Sequence, residues 1–232
     1  MSSDFERYYG RANPDLAAAL PDAASVIVEV GCGAGALGAL YKARHPQCRY
    51  LGIEANPEAA ARARDHMDGI LVGDIESLDA EGIGRFVGGP VDCFVYGDVL
   101  EHLRDPWQIV RAHAGLLSED GIMVASIPNA QYWVLIELLL HGAWDYRDSG
   151  PLDRGHLRWF TLPGIQRLFE ENGLFIHKIA LRPGSNANFG RFFAALEPAL
   201  GNLGIDKECF ARLARAPQFI IQAGRRPAAA VG

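Results

Sequence analysis

The stretch VIVEVGCGAGALG, residues 26–38, is an apolar, β-prone run that meets three glycines, Gly31, Gly33 and Gly35, and then turns helix-like. Glycines at such a junction let the chain turn sharply and let a ligand lie against bare backbone at a helix N-terminus. With Ala36 in the last place the segment also satisfies the relaxed pattern GxGxx(G/A), so alone it does not separate one nucleotide-type ligand from another. A turn built only for packing is the plain alternative. Glu29 lies inside the apolar run, two residues before Gly31. An unpaired charge there would be costly to bury, so it needs a charged or hydrogen-bonding partner.

Outward from the turn, apolar runs alternate with helix-like stretches. Val26 to Val30 precedes Leu37 to Arg44, Tyr50 to Ile53 precedes Pro57 to His66, and Ile70 to Val72 leads into a polar segment. Val91 to Tyr96, a helix from about Asp105 to Leu117, and Ile122 to Ile127 continue the rhythm. Such βαβα repetition with continuous apolar strands predicts an α/β fold, a parallel sheet covered by helices on both faces. Pro57 and Pro106 sit where a helix tolerates a missing N–H, with Asn56 and Asp105 as N-caps.

Beyond Ile127 the rhythm changes. Pro128-Asn129 breaks the strand, an aromatic and leucine-rich helix follows, and Gly142 to Gly155 reads as a long connection of the kind that usually carries function. A helix from about Pro163 to Glu171 stops at Asn172-Gly173. A strand around Leu174 to Leu181, a polar insertion, helical stretches within Arg191 to Leu213 and a last strand around Gln218 to Ala223 complete the chain, with Arg225 to Gly232 as a frayed end. There is no internal repeat. The expectation is a single domain over residues 1–232, with a cofactor-binding half at 26–129, a lid at 142–162 and a helical insertion at 183–213.

The chain has 232 residues, of which 49% are hydrophobic and 22% charged, so it is globular rather than disordered or fibrous. A formal charge of −6 disfavours a polyanionic partner such as nucleic acid or an anionic membrane surface. The longest apolar stretch, around Tyr132 to Leu140, is short and contains Glu137, and Asp4, Glu6 and Arg7 interrupt the amino terminus. A soluble, cytoplasmic protein is expected. Cys32, Cys48, Cys93 and Cys209 show no paired spacing, and the dispersed histidines form no HExxH pair, so reduced thiols and no dedicated metal site are expected.

Glu54 ends the second strand about 20 residues beyond the glycine turn, where a carboxylate can accept both hydroxyls of a ribose; a solvated strand-end carboxylate is the alternative. Asp74, in VGDIESL after the third strand, is able to accept from an adenine amino group.

With these residues the chain resembles the class I S-adenosylmethionine-dependent methyltransferases. The resemblance is carried by EVGCGAG (29–35), GIEANPEA (52–59), VGDIESL (72–78), DCFVYGDVLEHLRDPW (92–107) and LLSEDGIMVASIPN (116–129), in the family's order. It implies a Rossmann-like, seven-stranded, mostly parallel sheet with an antiparallel last strand. It implies S-adenosyl-L-methionine as cofactor, S-adenosyl-L-homocysteine as product, and no metal. Gly31, Cys32, Gly33 and Gly35 would hold the methionine end, Glu29 the turn and the amino group, and Gly97 the methionine moiety. Glu54 with Ala55 would hold the ribose, and Asp74 with the Ile75 backbone the adenine. Tyr8, Tyr9 and Arg11 either fold over the cofactor or belong to a surface segment.

Acceptor candidates must stand above the carboxyl ends of the strands. These are Asp98, Glu101 and His102, then Asn129 and Tyr132, then HGAWDYRDSGPLDRGHLRWFT (141–161). The last stretch resembles bacterial O-methyltransferases that modify small molecules and sugars, the ubiquinone-biosynthetic class among them in general layout. Histidine is the side chain best matched to proton removal at neutral pH. His156 is the first choice as base, with a lid-fixing or substrate-orienting role as the alternative. His102 is second, with a structural or cofactor-shell role against it. Arg154 and Arg158 either clamp an anionic group or pair with Asp145, Asp148 and Asp153. Trp133, Trp144, Tyr146, Trp159 and Phe160 form either a stacking wall for the acceptor or ordinary core.

The leading expectation is methyl transfer to a hydroxyl of a small molecule or sugar-containing metabolite. Transfer to the nitrogen of an amine or heterocycle is the nearest rival. NAD-dependent oxidoreduction leaves Glu29, Asp74 and DVLEHL without a role, and a non-catalytic binding protein is a further class. SIPNAQYW only superficially suggests the NPPY-type motif of enzymes that flip bases. The expected partners are a small-molecule substrate and a second copy of the chain in a homodimer, with neither nucleic acid nor membrane insertion.

Overall fold

The computed structural model describes residues 9–182, 184 and 187–228. Asp4, Glu6, Arg7 and Tyr8, residues 183, 185 and 186 of the expected insertion, and the last four residues of the expected frayed end lie outside these.

Seven strands, β1 (Val26–Val30), β2 (Arg49–Glu54), β3 (Gly69–Val72), β4 (Val91–Gly97), β5 (Leu117–Pro128), β6 (Phe175–Arg182) and β7 (Gln218–Gly224), form one sheet in the order β3-β2-β1-β4-β5-β7-β6. Pairings from β3 through β5 are parallel, and β7 runs antiparallel to both β5 and β6. The expected Rossmann-like sheet with its antiparallel last strand is therefore present. Strand order reverses at β1, between β2 and β4, which opens a crevice beyond the carboxyl ends of these strands.

Both faces of the sheet are covered, which explains the unbroken apolar strands. Ile27, Cys93 and Val95 point to one face and pack with Leu16, Tyr41 and Tyr50. Val28, Val30, Phe94 and Tyr96 point to the other and pack with Ile109, Ile165 and Phe169. Full burial of each such aliphatic or aromatic side chain contributes about 1.5–3 kcal/mol.

The helices are α1 (Pro14–Ala18), α2 (Ala36–Lys42), α3 (Pro57–Ala63), α4 (Ala80–Val87), α5 (Pro106–Ala114), α6 (Trp133–Leu140), α7 (Leu162–Glu170), α8 (Phe189–Asn202) and α9 (Lys207–Ala214). Asn56 caps α3 by accepting from the N–H groups of Glu58 and Ala59, and Asp105 caps α5 by accepting from that of Gln108. Helix α4 falls in the segment read as polar. Its two interior glycines dilute the helical signal, yet the Asp79 carboxylate caps it at Gly82 N, Ile83 and Val87 are buried, and Gly88 ends it at φ +75°. Helices α8 and α9 occupy the connection between β6 and β7, where Phe189, Phe192 and Ala214 pack on Trp133 and Leu135 of α6. Among the described residues no helix is long and apolar enough to cross a membrane.

Candidate active site

The turn after β1 is left-handed at Gly31 (φ +68°) and Gly33 (φ +55°). Side chains are excluded there on steric grounds too: a Cβ on Gly31 would stand 2.6 Å from Val99 Cγ2, and one on Gly33 2.9 Å from the Tyr9 carbonyl oxygen. Ala34 N donates to that same oxygen at 2.9 Å, so the N-terminal segment crosses the turn. Glu54, only 7% exposed, stands at the end of β2. Its Oε2 accepts from Gly33 N and its Oε1 from Asn56 N, both at 2.8 Å. Each carboxylate oxygen keeps a further acceptor site.

Glu29 is buried beneath the turn and accepts from the Tyr50 hydroxyl at 3.0 Å. Burial pushes its carboxyl up to about 8, with the Glu54 carboxylate adding to the rise and the Tyr50 hydrogen bond opposing it. That buried acid is poised for a cationic ligand group, which would restore its charged form. Burial likewise pushes the Cys32 thiol up, so it is an inert part of the turn.

A cavity of about 700 Å³ opens over these groups. It brings together Glu29, Gly31, Cys32, Gly33, Glu54, Ala55, Gly97 and Arg11, with Tyr9 beside them. Three expected cofactor residues stand outside its lining. Gly35 caps α2, where a Cβ would meet Ala63 Cα at 3.1 Å. The exposed Asp74 side chain turns back to accept from Glu76 N at 3.0 Å. Ile75 is buried in the core.

The same cavity is also lined by Asp98, Glu101, His102, Pro151, Asp153, His156 and Arg182. A 3₁₀ turn at Leu100–His102 presents Glu101, and the Glu101 backbone carbonyl accepts from Leu157 N at 2.8 Å and Arg158 N at 3.0 Å. Those two bonds pin the expected lid onto the turn. His156 Nδ1 stands 3.3 Å from the Pro151 carbonyl, while its Nε2 lies 3.9 Å from Glu101 Oε1. The His102 and His156 rings meet edge-on at 4.7 Å. Burial lifts Glu101 well above the carboxylate range, and the nearby Asp98 adds to this. Burial lowers His156, with the His102 ring adding to the fall, so its imidazole is neutral near pH 7. Asp98 holds a left-handed φ of +57°, and its Oδ1 accepts from Ser126 Oγ at 3.1 Å and Gln218 Nε2 at 2.6 Å.

Several acceptor candidates are elsewhere. Tyr146 is 52% exposed and leans on Trp159 at 6.3 Å. Arg158 donates to the Arg104 and Leu157 carbonyls, and Arg154 pairs with Asp148 at 2.8 Å. Their side chains therefore fasten the loop instead of lining the cavity. Asn129 is fully buried and donates to the Leu213 and Ala216 carbonyls. Trp133 and Tyr132 pack against the inserted helices, Phe160 belongs to the main core, and Trp144 packs edge-on with Trp159 at 5.7 Å. The aromatic set is thus packing, not a wall of the cavity.

Arg182 lines the cavity without having been singled out in the sequence, and Asp153, read there only as a partner for Arg154 and Arg158, lines it too. Arg182 ends β6, which runs in the same direction as β5, so its position at the ligand-bearing edge follows once strand order is known. It pairs with Asp15 at 3.2 Å and also donates to Gln218 Oε1.

The sheet order and the glycine turn with its carboxylate define a class I S-adenosylmethionine-dependent methyltransferase fold. Residues 3–179, more than half of the chain, match the family described as the methyltransferase domain, and the chain belongs to that family. A ubiquinone biosynthesis O-methyltransferase of Pseudomonas paraeruginosa is 27% identical over 137 residues, covering 54% of this chain and 58% of that protein. A trans-aconitate 2-methyltransferase of Azoarcus sp. is 33% identical over 120 residues, covering 51% of this chain and 46% of that protein. The match thus spans about half the length of these relatives. In fold, a methyltransferase from Archaeoglobus fulgidus superposes with a TM-score of 0.63 at 14% identity, covering 94% of this chain and 97% of that one.

Proposed function

We propose that the chain transfers a methyl group from S-adenosylmethionine to a hydroxyl of a small, dissolved metabolite in the cytoplasm. The observation that carries this reading is a single cavity that runs from the anchored Glu54 carboxylate to His156 and Glu101.

The residues fit the donor. Glu54 offers two oxygens held by backbone N–H groups, suited to a pair of ribose hydroxyls. The glycine backbone offers close approach, and Glu29 offers a buried acid to an ammonium group. When bound, S-adenosylmethionine supplies a methyl carbon activated by positive sulfur, which takes back the bonding electron pair on transfer. The remaining task of the chain is to hold the acceptor oxygen in line and to exclude water.

Proton removal from the acceptor is assigned to the group formed by Glu101, His102 and His156. Of these His156 is the base, because its Nδ1 is turned to the Pro151 carbonyl and its Nε2 is left as the acceptor nitrogen. Arg182 and Arg11 at the cavity wall suit an acceptor that carries a negative group. One of the relatives named above is an O-methyltransferase of ubiquinone biosynthesis, which favours oxygen over nitrogen as acceptor.

Calorimetry with S-adenosylhomocysteine and with NAD separates this reading from dinucleotide chemistry. Binding of the former alone is expected. Binding of NAD alone would overturn the proposal.

A further inference from the structure

Glu101 is 1% exposed and faces the cavity, and neither carboxylate oxygen has a hydrogen-bond partner among the described residues. Buried polar groups without partners are rare, and each calls for a missing donor or ion. The carboxylate faces a second acceptor. The Pro151 carbonyl, 3.3 Å from His156 Nδ1, is satisfied only by an N–H, which leaves the Nε2 lone pair directed toward Glu101 Oε1 at 3.9 Å. That gap is too long for a hydrogen bond. It is the separation expected of two ligands on one ion, since atoms each about 2.0–2.2 Å from a metal lie about 3–4 Å apart. His102 supplies a third ligand, with all three ligand atoms within 4.8 Å of one another.

We propose that Glu101, His102 and His156 hold a first-row divalent cation of the Zn²⁺ or Mn²⁺ type at the acceptor end of the cavity. Two imidazoles and one carboxylate suit such an ion better than Mg²⁺ or Ca²⁺, which prefer all-oxygen shells. The Pro151 carbonyl orients the His156 ring, as outer hydrogen bonds do for metal-ligating histidines. Sequence spacing predicted no such site because Glu101 and His102 are adjacent whereas His156 arrives from the distant lid; the fold joins them through the bonds from Leu157 N and Arg158 N to the Glu101 carbonyl.

The inference deepens the proposed reading and rests on it for the identity of the reaction. Three protein ligands leave coordination positions open to an acceptor oxygen. Held by Glu101, His102 and His156, the ion would polarise an acceptor hydroxyl and ease loss of its proton to solvent, while the oxygen would keep the lone pair for the methyl carbon. His156 is then a ligand, and serves as base only without the ion. The site selects acceptors that offer a hydroxyl oxygen to the metal.

The test is calorimetric titration of chelator-treated full chain with Zn²⁺ and with Mn²⁺, with Mn²⁺ electron paramagnetic resonance as a second readout. Binding of one equivalent per chain is expected, weakened at least tenfold in Glu101→Gln and in His156→Gln. S-adenosylhomocysteine binding is measured in the same samples and is expected to stay within about twofold, which shows that the variants are folded. If Glu101→Gln does not fold, His156→Gln in the lid carries the comparison. Absence of stoichiometric binding of either ion, or binding that both variants retain, would overturn the site. Loss of S-adenosylhomocysteine binding by the wild-type chain would instead remove the methyltransferase reading, whatever the metal result.

Discussion

Gly33 N and Glu54 Oε2 are joined by a 2.8 Å hydrogen bond, which locks the glycine turn of β1 to the last residue of β2. The bond fixes both the carboxylate and the backbone against which a ligand would lie. A hydrogen bond to a charged group contributes about 1.5–3 kcal/mol, more than a neutral one.

Glu54→Ala removes this anchor and the two proposed ribose contacts. S-adenosylhomocysteine affinity falls roughly 10- to 100-fold, as losses of about 1.5–3 kcal/mol imply. Glu54→Gln keeps one acceptor oxygen and falls in between. Calorimetry on both variants checks the order, and equal affinity in all three proteins would remove Glu54 from the binding site.

Glu29 gives the ligand-free protein a signed pH dependence. Its ordinary value of 4.5 is pushed to about 8, so between these limits the folded chain holds a proton that the unfolded chain has released. Its contribution to stability therefore falls as pH rises from about 4.5 to about 8. Each tenfold change in proton affinity corresponds to about 1.4 kcal/mol, so the total is on the order of a few kcal/mol. Glu29→Gln removes this slope while weakening S-adenosylhomocysteine binding. Urea denaturation at pH 5, 7 and 9 measures it; parallel pH profiles for variant and wild type would contradict the assignment.

His113 acts in the other direction. It is buried beside Phe94, its Nδ1 stands 2.6 Å from the Tyr96 hydroxyl, and burial lowers its pKa from 6.5 to about 4. The unfolded chain takes up a proton first, so stability is lost as pH falls from about 6.5 to about 4, by about 3 kcal/mol at most. His113→Phe flattens that acid limb. It also leaves the Tyr96 hydroxyl unpaired, at about 1–3 kcal/mol near neutral pH. Denaturation midpoints between pH 4 and 7 report both effects.

Tyr146 and Arg158, acceptor-side candidates in the sequence, stand outside the cavity. Tyr146→Ala and Arg158→Ala should therefore change S-adenosylhomocysteine affinity and methyl transfer by less than about threefold, whereas His156→Ala should lower transfer at least tenfold. Equal losses in all three would return the exposed loop to the reaction.

The sheet and its cofactor edge were legible because their signals are local. Continuous apolar strands, capping Asn56 and Asp105, and the Gly31 to Gly35 turn each lie within a few residues and are fixed by backbone sterics. Helix α4 was not legible, since two glycines in eight residues erase the helical signal until Ile83 and Val87 find the core. The acceptor end was less legible because Gly142 to Gly155 has no periodicity to aim its side chains. His156 turned inward with the loop pinned at Glu101, while Tyr146 and Arg158 turned outward. Asn129 differs for another reason: a polar residue after a strand looks like a site, but here it ties β5 to the end of α9.

The most direct test of the account is a crystal structure of the chain with S-adenosylhomocysteine. The account predicts the ribose hydroxyls on the Glu54 carboxylate, the amino group over Glu29, and the sulfur facing Glu101, His102 and His156 along the cavity. A ligand whose ribose is bound away from Glu54, or whose sulfur points away from that trio, would contradict it.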